Sequence, residues 1–164
     1  MADMPDNQKQ KVVISCETSS FLLKEAVKRR LEAAGYQVLD VGAQSADQQV
    51  AYYDAARRLA QVIQRGECAR GIAMCGTGGG ISMIINKFKG CYCVACESVF
   101  TAEKISLINN ANVLAMGARV VSWDMGGEMA EKFLAGRWCE GFAQARRLSN
   151  EKGYEVLRQV EAGQ

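Results

Sequence analysis

Residues 71–83 read GIAMCGTGGGISM, an apolar run that ends in a cysteine and breaks into a loop of small residues. The run is short, continuous and uncharged, as a strand covered on both faces must be. The glycines interrupt the strand, and a helix begins near Ile81. Strand, glycine turn and helix make one unit of a parallel sheet, and the flanking sequence repeats that unit.

Working outward, KVVISC (11–16) reads as a buried strand and SSFLLKEAVKRRLEAAG (19–35) as a helix with a serine cap and a closing glycine. Leu22, Leu23, Ala26, Val27 and Leu31 share one helical face. YQVLDVG (36–42) is a second strand and VAYYDAARRLAQVIQRG (50–66) a second helix. Beyond the glycine loop, a helix runs to about Lys89, CYCVACE (91–97) is strand four, and VFTAEKISLINN (99–110) is its helix. NVLAMG (112–117) is strand five, and helices follow near 124–136 and 144–161. This alternation predicts an α/β fold, a three-layer, doubly wound, Rossmann-like sheet of five parallel strands. One domain spans 11–164 behind a flexible polar tail, 1–10, with no repeat or linker.

The 164 residues are 49% hydrophobic and 23% charged, enough for one core. Acidic and basic residues mix along a chain of formal charge +2, so no concentrated basic patch points to nucleic acid. No apolar run nears the roughly 20 residues of a membrane span, and MADMPDNQKQ is too polar for a signal peptide. A cytoplasmic protein with neither nucleic acid nor membrane as partner is expected. Its seven cysteines then read as reduced thiols. CYCVAC sits in an apolar segment, and no histidine exists to complete a mixed zinc site, so neither metal nor cofactor is expected. Without histidine, any acid or base must be Cys, Asp, Glu, Lys or Tyr.

Ligands of such sheets bind at the carboxyl ends of the strands, here Cys16-Glu17, Gly42, Cys75-Gly76, Glu97-Ser98 and Met116-Gly117. Cys75 offers a thiol base beside backbone N–H groups of Gly76, Gly78, Gly79 and Gly80, with the Thr77 hydroxyl as a further donor. The plainer alternative is a buried strand-end cysteine followed by glycines for a tight turn. A P-loop would end in Gly-Lys-Ser/Thr, and a dinucleotide fingerprint needs its third glycine elsewhere. Glu17 is either a reactive carboxylate or a helix cap beside Ser19. Tyr52 and Asp54 belong to the rim without an assigned role. Trp123 and Trp138 read as packing residues, and Lys28-Arg29-Arg30 as a solvated face.

The loop C-G-T-G-x-G-x-S-x-x-x-N-K (75–87) joined to N-x-x-N-V-L-x-x-G-x-R-V-V (109–121) resembles the ribose-5-phosphate isomerase B and galactose-6-phosphate isomerase family, from about Lys11 to Arg147. The resemblance implies metal-free aldose–ketose isomerisation of a sugar phosphate through an enediolate. It also implies a homodimer, or dimer of dimers, with active sites between subunits. Cys75 would move a proton between C1 and C2, while Thr77 and the amides of 76–80 hold the charged oxygen. Asn109 would reach the sugar from the partner subunit, and Arg119 and Arg147, with Arg146 as a neighbouring candidate, would bind phosphate. The departures matter as much. Glu17-Thr18 stands where the family has Asp-His, Ile108 replaces the ring-opening histidine, a loop aspartate aligns near Ala51, and an arginine falls on Ala143. Two explanations follow: an isomerase for a short, open-chain substrate, or a non-catalytic binder or partner subunit.

Overall fold

The computed structural model describes residues 10–163, so the expected tail lies, but for Gln10, outside the described residues. The elements are β1 (Lys11–Cys16), a 3-10 turn (Thr18–Ser20), α1 (Phe21–Ala33), β2 (Gln37–Asp40), α2 (Tyr52–Gln64) and β3 (Arg70–Cys75). They continue as α3 (Gly79–Ile85), β4 (Cys93–Ala95), α4 (Val99–Asn109), β5 (Val113–Gly117), α5 (Trp123–Ala135) and α6 (Gln144–Ala162). The strands form one parallel sheet, as the alternation predicts, and their order is β2-β1-β3-β5-β4. The central strands β1, β3 and β5 are buried almost throughout, which is why they read as unbroken apolar runs. α1 packs on α5 and α5 on α4 in one layer, while α2 packs on α3 in the other.

Several boundaries and burials differ from the sequence reading. β4 is cut to Cys93–Ala95 because Gly90 turns with φ +80° and the Cys91 N–H is spent on the Phe88 carbonyl. The same turn ends α3 at Ile85 instead of near Lys89. α1 has no serine side-chain cap. The Glu17 carboxylate caps the preceding 3-10 turn by accepting from the Ser19 N–H, and α1 starts only at Phe21. With that start, Leu23, Val27 and Leu31 face the core while Leu22 is 58% exposed. Trp123 is also exposed, at 57%, because it opens α5 at the surface; Trp138 does pack, its ring tilted against Tyr154 with centroids 5.1 Å apart and its indole N–H donating to the Ile108 carbonyl. Of the basic triplet, Arg29 alone is exposed: Lys28 pairs with Asp40, and Arg30 reaches Glu131 at 2.7 Å. α6 is anchored at its far end, where Glu161 accepts from the Gly90 N–H and the Tyr92 hydroxyl.

Two features hold the carboxyl edge of the sheet in shape. The first is backbone on backbone: a Cβ on Gly117 would lie 2.7 Å from the Thr77 backbone, and one on Gly78 3.0 Å from Met116. Gly78 also takes φ +81°, which an L side chain resists. The second is Lys24, wholly buried, whose ammonium donates to the Asp40 carboxylate and the Ala43 carbonyl, both at 2.6 Å. Burial opposes both charges. The hydrogen bonds and charge of Lys24 nonetheless bring Asp40 below its ordinary 3.8, and Asp40 with Glu25 raises Lys24.

Gly117→Ala should therefore destabilise the fold by about 1–3 kcal/mol through overpacking, read as a lower Tm in thermal unfolding. An unchanged Tm would show that the loop can yield.

Lys24→Met should cost about 3 kcal/mol near neutral pH by leaving a buried carboxylate short of its main partner. A depressed carboxyl contributes stability above its unfolded value, and that contribution is lost as pH falls from about 3.8 through the lower folded value. Urea melts at about pH 6 and about pH 3 should thus show a larger acid loss for wild type than for the variant.

Candidate active site

The strand order reverses between β1, whose chain turns out to β2, and β3, whose chain proceeds to the opposite edge. That junction opens a crevice above the carboxyl ends of the two strands. Glu17 follows β1 and Cys75 closes β3, so the two residues meet there. Glu17, Ser19, Tyr52, Cys75, Gly76, Thr77, Gly80 and Arg119 line a cleft of about 570 Å³. A second hollow of about 620 Å³ shares Glu17 and Ser19 and runs toward Gln49 and Asp54, but it contains no thiol.

Cys75 is 5% exposed, and its sulfur accepts the Gly78 N–H at 3.2 Å. That bond holds the sulfur as an acceptor, the polarity a base requires. Burial pushes the thiols of Cys16, Cys91 and Cys96 up to about 11, and those of Cys68 and Cys93 upward as well. None of those five lines the cleft, whereas Cys75 does. The Gly79 N–H points to Thr77 Oγ1 at 3.3 Å, which leaves the Thr77 hydroxyl proton available to a ligand. Among the described residues, no group of three or more Cys, Asp or Glu is placed to hold a metal ion.

Arg119 reaches the cleft because of the turn that carries it. The Ala118 and Arg119 N–H groups donate to the Cys75 and Gly76 carbonyls at 2.9 and 3.0 Å. The Arg119 Nε then lies 3.7 Å from where a Gly76 Cβ would sit. Glu17 spends both carboxylate oxygens on its own turn, accepting from the Ser19 N–H and from the Ser19 and Ser20 hydroxyls. The capping alternative is thus realised, within a carboxylate that still lines the cleft. Thr18 donates to the Gln48 carbonyl at 2.7 Å and accepts from the Val50 N–H at 2.8 Å, clamping the loop that leads into α2.

The remaining sequence-predicted residues are not brought to this cleft. Asn109 ends α4 and Arg146 and Arg147 lie in the first turn of α6; all three are exposed, and none lines the Cys75 cleft. The half-buried Ile108 precedes Asn109, its carbonyl taken by Trp138. Tyr52 lines the cleft, as its rim position in the sequence reading expects, but two contributions escaped that reading: the Thr18 clamp and the packing of the Tyr52 ring on the glycine loop. The second has a sequence signal, a third consecutive glycine. A Cβ on Gly80 would meet the Tyr52 ring at 3.0 Å.

Comparison with known proteins places the chain among sugar isomerases. Residues 12–150 match the family model described as Ribose/Galactose Isomerase. The chain is 43% identical to a 4-deoxy-4-sulfo-D-erythrose isomerase from a Clostridium species, over 83% of this chain and 86% of that one. It is 33% identical to D-erythrulose-4-phosphate isomerase 2 of Mycolicibacterium smegmatis, over 88% of this chain and 97% of that one. Among solved structures, ribose-5-phosphate isomerase B of Clostridium thermocellum superposes with a TM-score of 0.79 at 30% identity, covering 92% of this chain and 99% of that one. A family-model match over most of the chain, joined by relatives that are themselves named isomerases, makes this chain a member of the ribose/galactose isomerase family of aldose–ketose isomerases.

Proposed function

We propose that the protein interconverts a four-carbon aldose and its ketose, each carrying a strong-acid group at C4, by proton transfer through Cys75 in an open-chain substrate. The observation that carries this reading is the pairing of an intact thiol and glycine loop with an aliphatic Ile108 at the ring-opening position in a chain without histidine. A pentose or hexose phosphate exists mostly as a ring and needs an acid–base group to open it. Erythrose 4-phosphate has its O4 esterified, and 4-deoxy-4-sulfoerythrose has no O4, so neither closes a five-membered ring.

In this reading the Cys75 thiolate removes the proton beside the carbonyl, and Thr77 with the loop amides stabilises the enediolate oxygen. Arg119 and, from a second copy, Arg146 and Arg147 hold the C4 anion, with Asn109 on the sugar. What supports a homodimer is that these last three are exposed outside the cleft, on a molecule whose α6 leaves Leu148, Val156 and Val160 uncovered. The reaction uses no metal or cofactor and takes place in the cytoplasm. Among the described residues, no helix is long and apolar enough to cross a membrane.

The C4 group is a sulfonate in preference to a phosphate. Thr18 and Ala143 stand where the family carries an imidazole and a guanidinium, so this site offers fewer cations. A sulfonate carries one negative charge, whereas a phosphate monoester carries about 1.5 to 2 near pH 7.

Measured kcat/KM should fall from 4-deoxy-4-sulfoerythrose to erythrose 4-phosphate, and both should exceed ribose 5-phosphate by at least about 100-fold. Ribose 5-phosphate turnover equal to the four-carbon rates would refute the open-chain argument. Inactivity on the whole panel would favour a binding or partner-subunit role instead.

Cys75→Ser should keep the fold by circular dichroism and lose at least about 100-fold in kcat on the best substrate, because a serine hydroxyl supplies no comparable base. Turnover at the wild-type rate would remove Cys75 from the mechanism.

A further inference from the structure

An aldose–ketose conversion moves two protons, one from C2 to C1 and one from O2 to O1. Cys75 accounts for the first. The second needs a group that can both give and take a proton at oxygen, and most of the cleft's polar groups are unsuited to it. Arg119 is a donor only, and the Ser19 hydroxyl is given to Glu17, whose two oxygens are already accepting. Thr77 can donate to an oxyanion, but an aliphatic hydroxyl is too weak an acid to surrender its proton outright.

Tyr52 is the remaining side chain. It opens α2, is 42% exposed, lines the same cleft as Cys75, and its phenol makes no hydrogen bond among the described residues. Its ring lies against the glycine loop. The position of a Gly80 Cβ is 3.0 Å from Tyr52 Cε2 and 3.4 Å from Cζ, the carbon that bears the hydroxyl. Gly80 is not among the glycines with positive φ, so its own backbone does not demand glycine. The missing side chain makes room for the phenol. The loop thus reserves a place for Tyr52 beside the residues that hold the enediolate.

We infer that Tyr52 is the acid–base group that carries the oxygen-bound proton, an assignment that rests on the isomerase reading above. In the aldose-to-ketose direction the Cys75 thiolate takes the C2 proton, the freed pair forms C1=C2, and the carbonyl pair moves to O1. Tyr52 protonates O1, and its phenolate takes the proton of O2. The O2 pair then forms the C2 carbonyl while the C1=C2 pair takes the Cys75 proton at C1. Thiolate and phenol are both restored, and no electrons leave the substrate.

The test is Tyr52→Phe, which keeps the ring against Gly80, assayed on four-carbon substrates in deuterium oxide. Aldose-to-ketose conversion is followed alongside deuterium at C2 of the recovered aldose. Conversion should fall at least about 100-fold while C2 exchange persists, so the exchange-to-conversion ratio rises. Gly80→Ala, which displaces the ring while keeping the hydroxyl, should raise the same ratio less. Unchanged conversion in Tyr52→Phe overturns the assignment, and so does an equal loss of exchange and conversion, which marks a binding or packing role. Wild type inert in both readouts on every substrate would overturn the isomerase reading itself and this assignment with it.

Discussion

The site depends on one backbone-on-backbone contact, the seating of Thr77 and Gly78 upon Met116 and Gly117. No side chain fits between these segments, so glycine is required on both sides of the contact at once. It makes two distant motifs one physical object. The loop that begins at Cys75 keeps its shape because β5 ends beneath it, and the turn after β5 is fixed by donating its amides to the Cys75 and Gly76 carbonyls. Arg119 is therefore delivered to the cleft by backbone hydrogen bonds that involve the thiol's own residue, and any displacement of β5 would move the guanidinium and the thiol together.

The fold was legible because its signals are local. Burial on both faces leaves uninterrupted apolar runs in β1, β3 and β5, and helical periods between them separate the units. The ends were less legible for a physical reason. β4 shrank and α3 stopped early because of the turn at Gly90, whose closing hydrogen bonds join residues across a loop and leave no periodic trace. Leu22 failed as a core residue because the helix begins after a 3-10 turn capped by Glu17, which shifts the buried face to Leu23 and Val27.

The site was legible in part. Cys75, Thr77, Gly76, Gly80, Glu17 and Arg119 converge because each sits at or just after the carboxyl end of a central strand, a placement that strand assignment alone predicts. Tyr52 was not legible as a partner of the loop, since its contact with Gly80 joins residues of two helices whose packing the sequence does not display. Asn109, Arg146 and Arg147 lie elsewhere on the surface of the single chain, so the roles proposed for them require a second copy and could not be read from this fold alone.

The departures from the family pattern form a consistent set. Where an imidazole would face an anion, Thr18 uses its hydroxyl to fasten the 48–50 backbone, so that position serves the scaffold of the cleft. Where a ring-opening group would stand, Ile108 is aliphatic and half-buried, and its carbonyl is tied to Trp138. Under the proposed reading, a single property of the substrate accounts for both losses. A chain whose C4 carries the acid group directly has no free hydroxyl from which to close a five-membered ring, which removes the need for an opening acid. The same chain is shorter than a pentose phosphate and, as a sulfonate, carries less charge, which removes the need for a full set of cations. What it cannot dispense with is the thiol, the oxyanion donors and a carrier for the oxygen-bound proton, and it is around these groups that the glycines at 76, 78, 80 and 117 are placed.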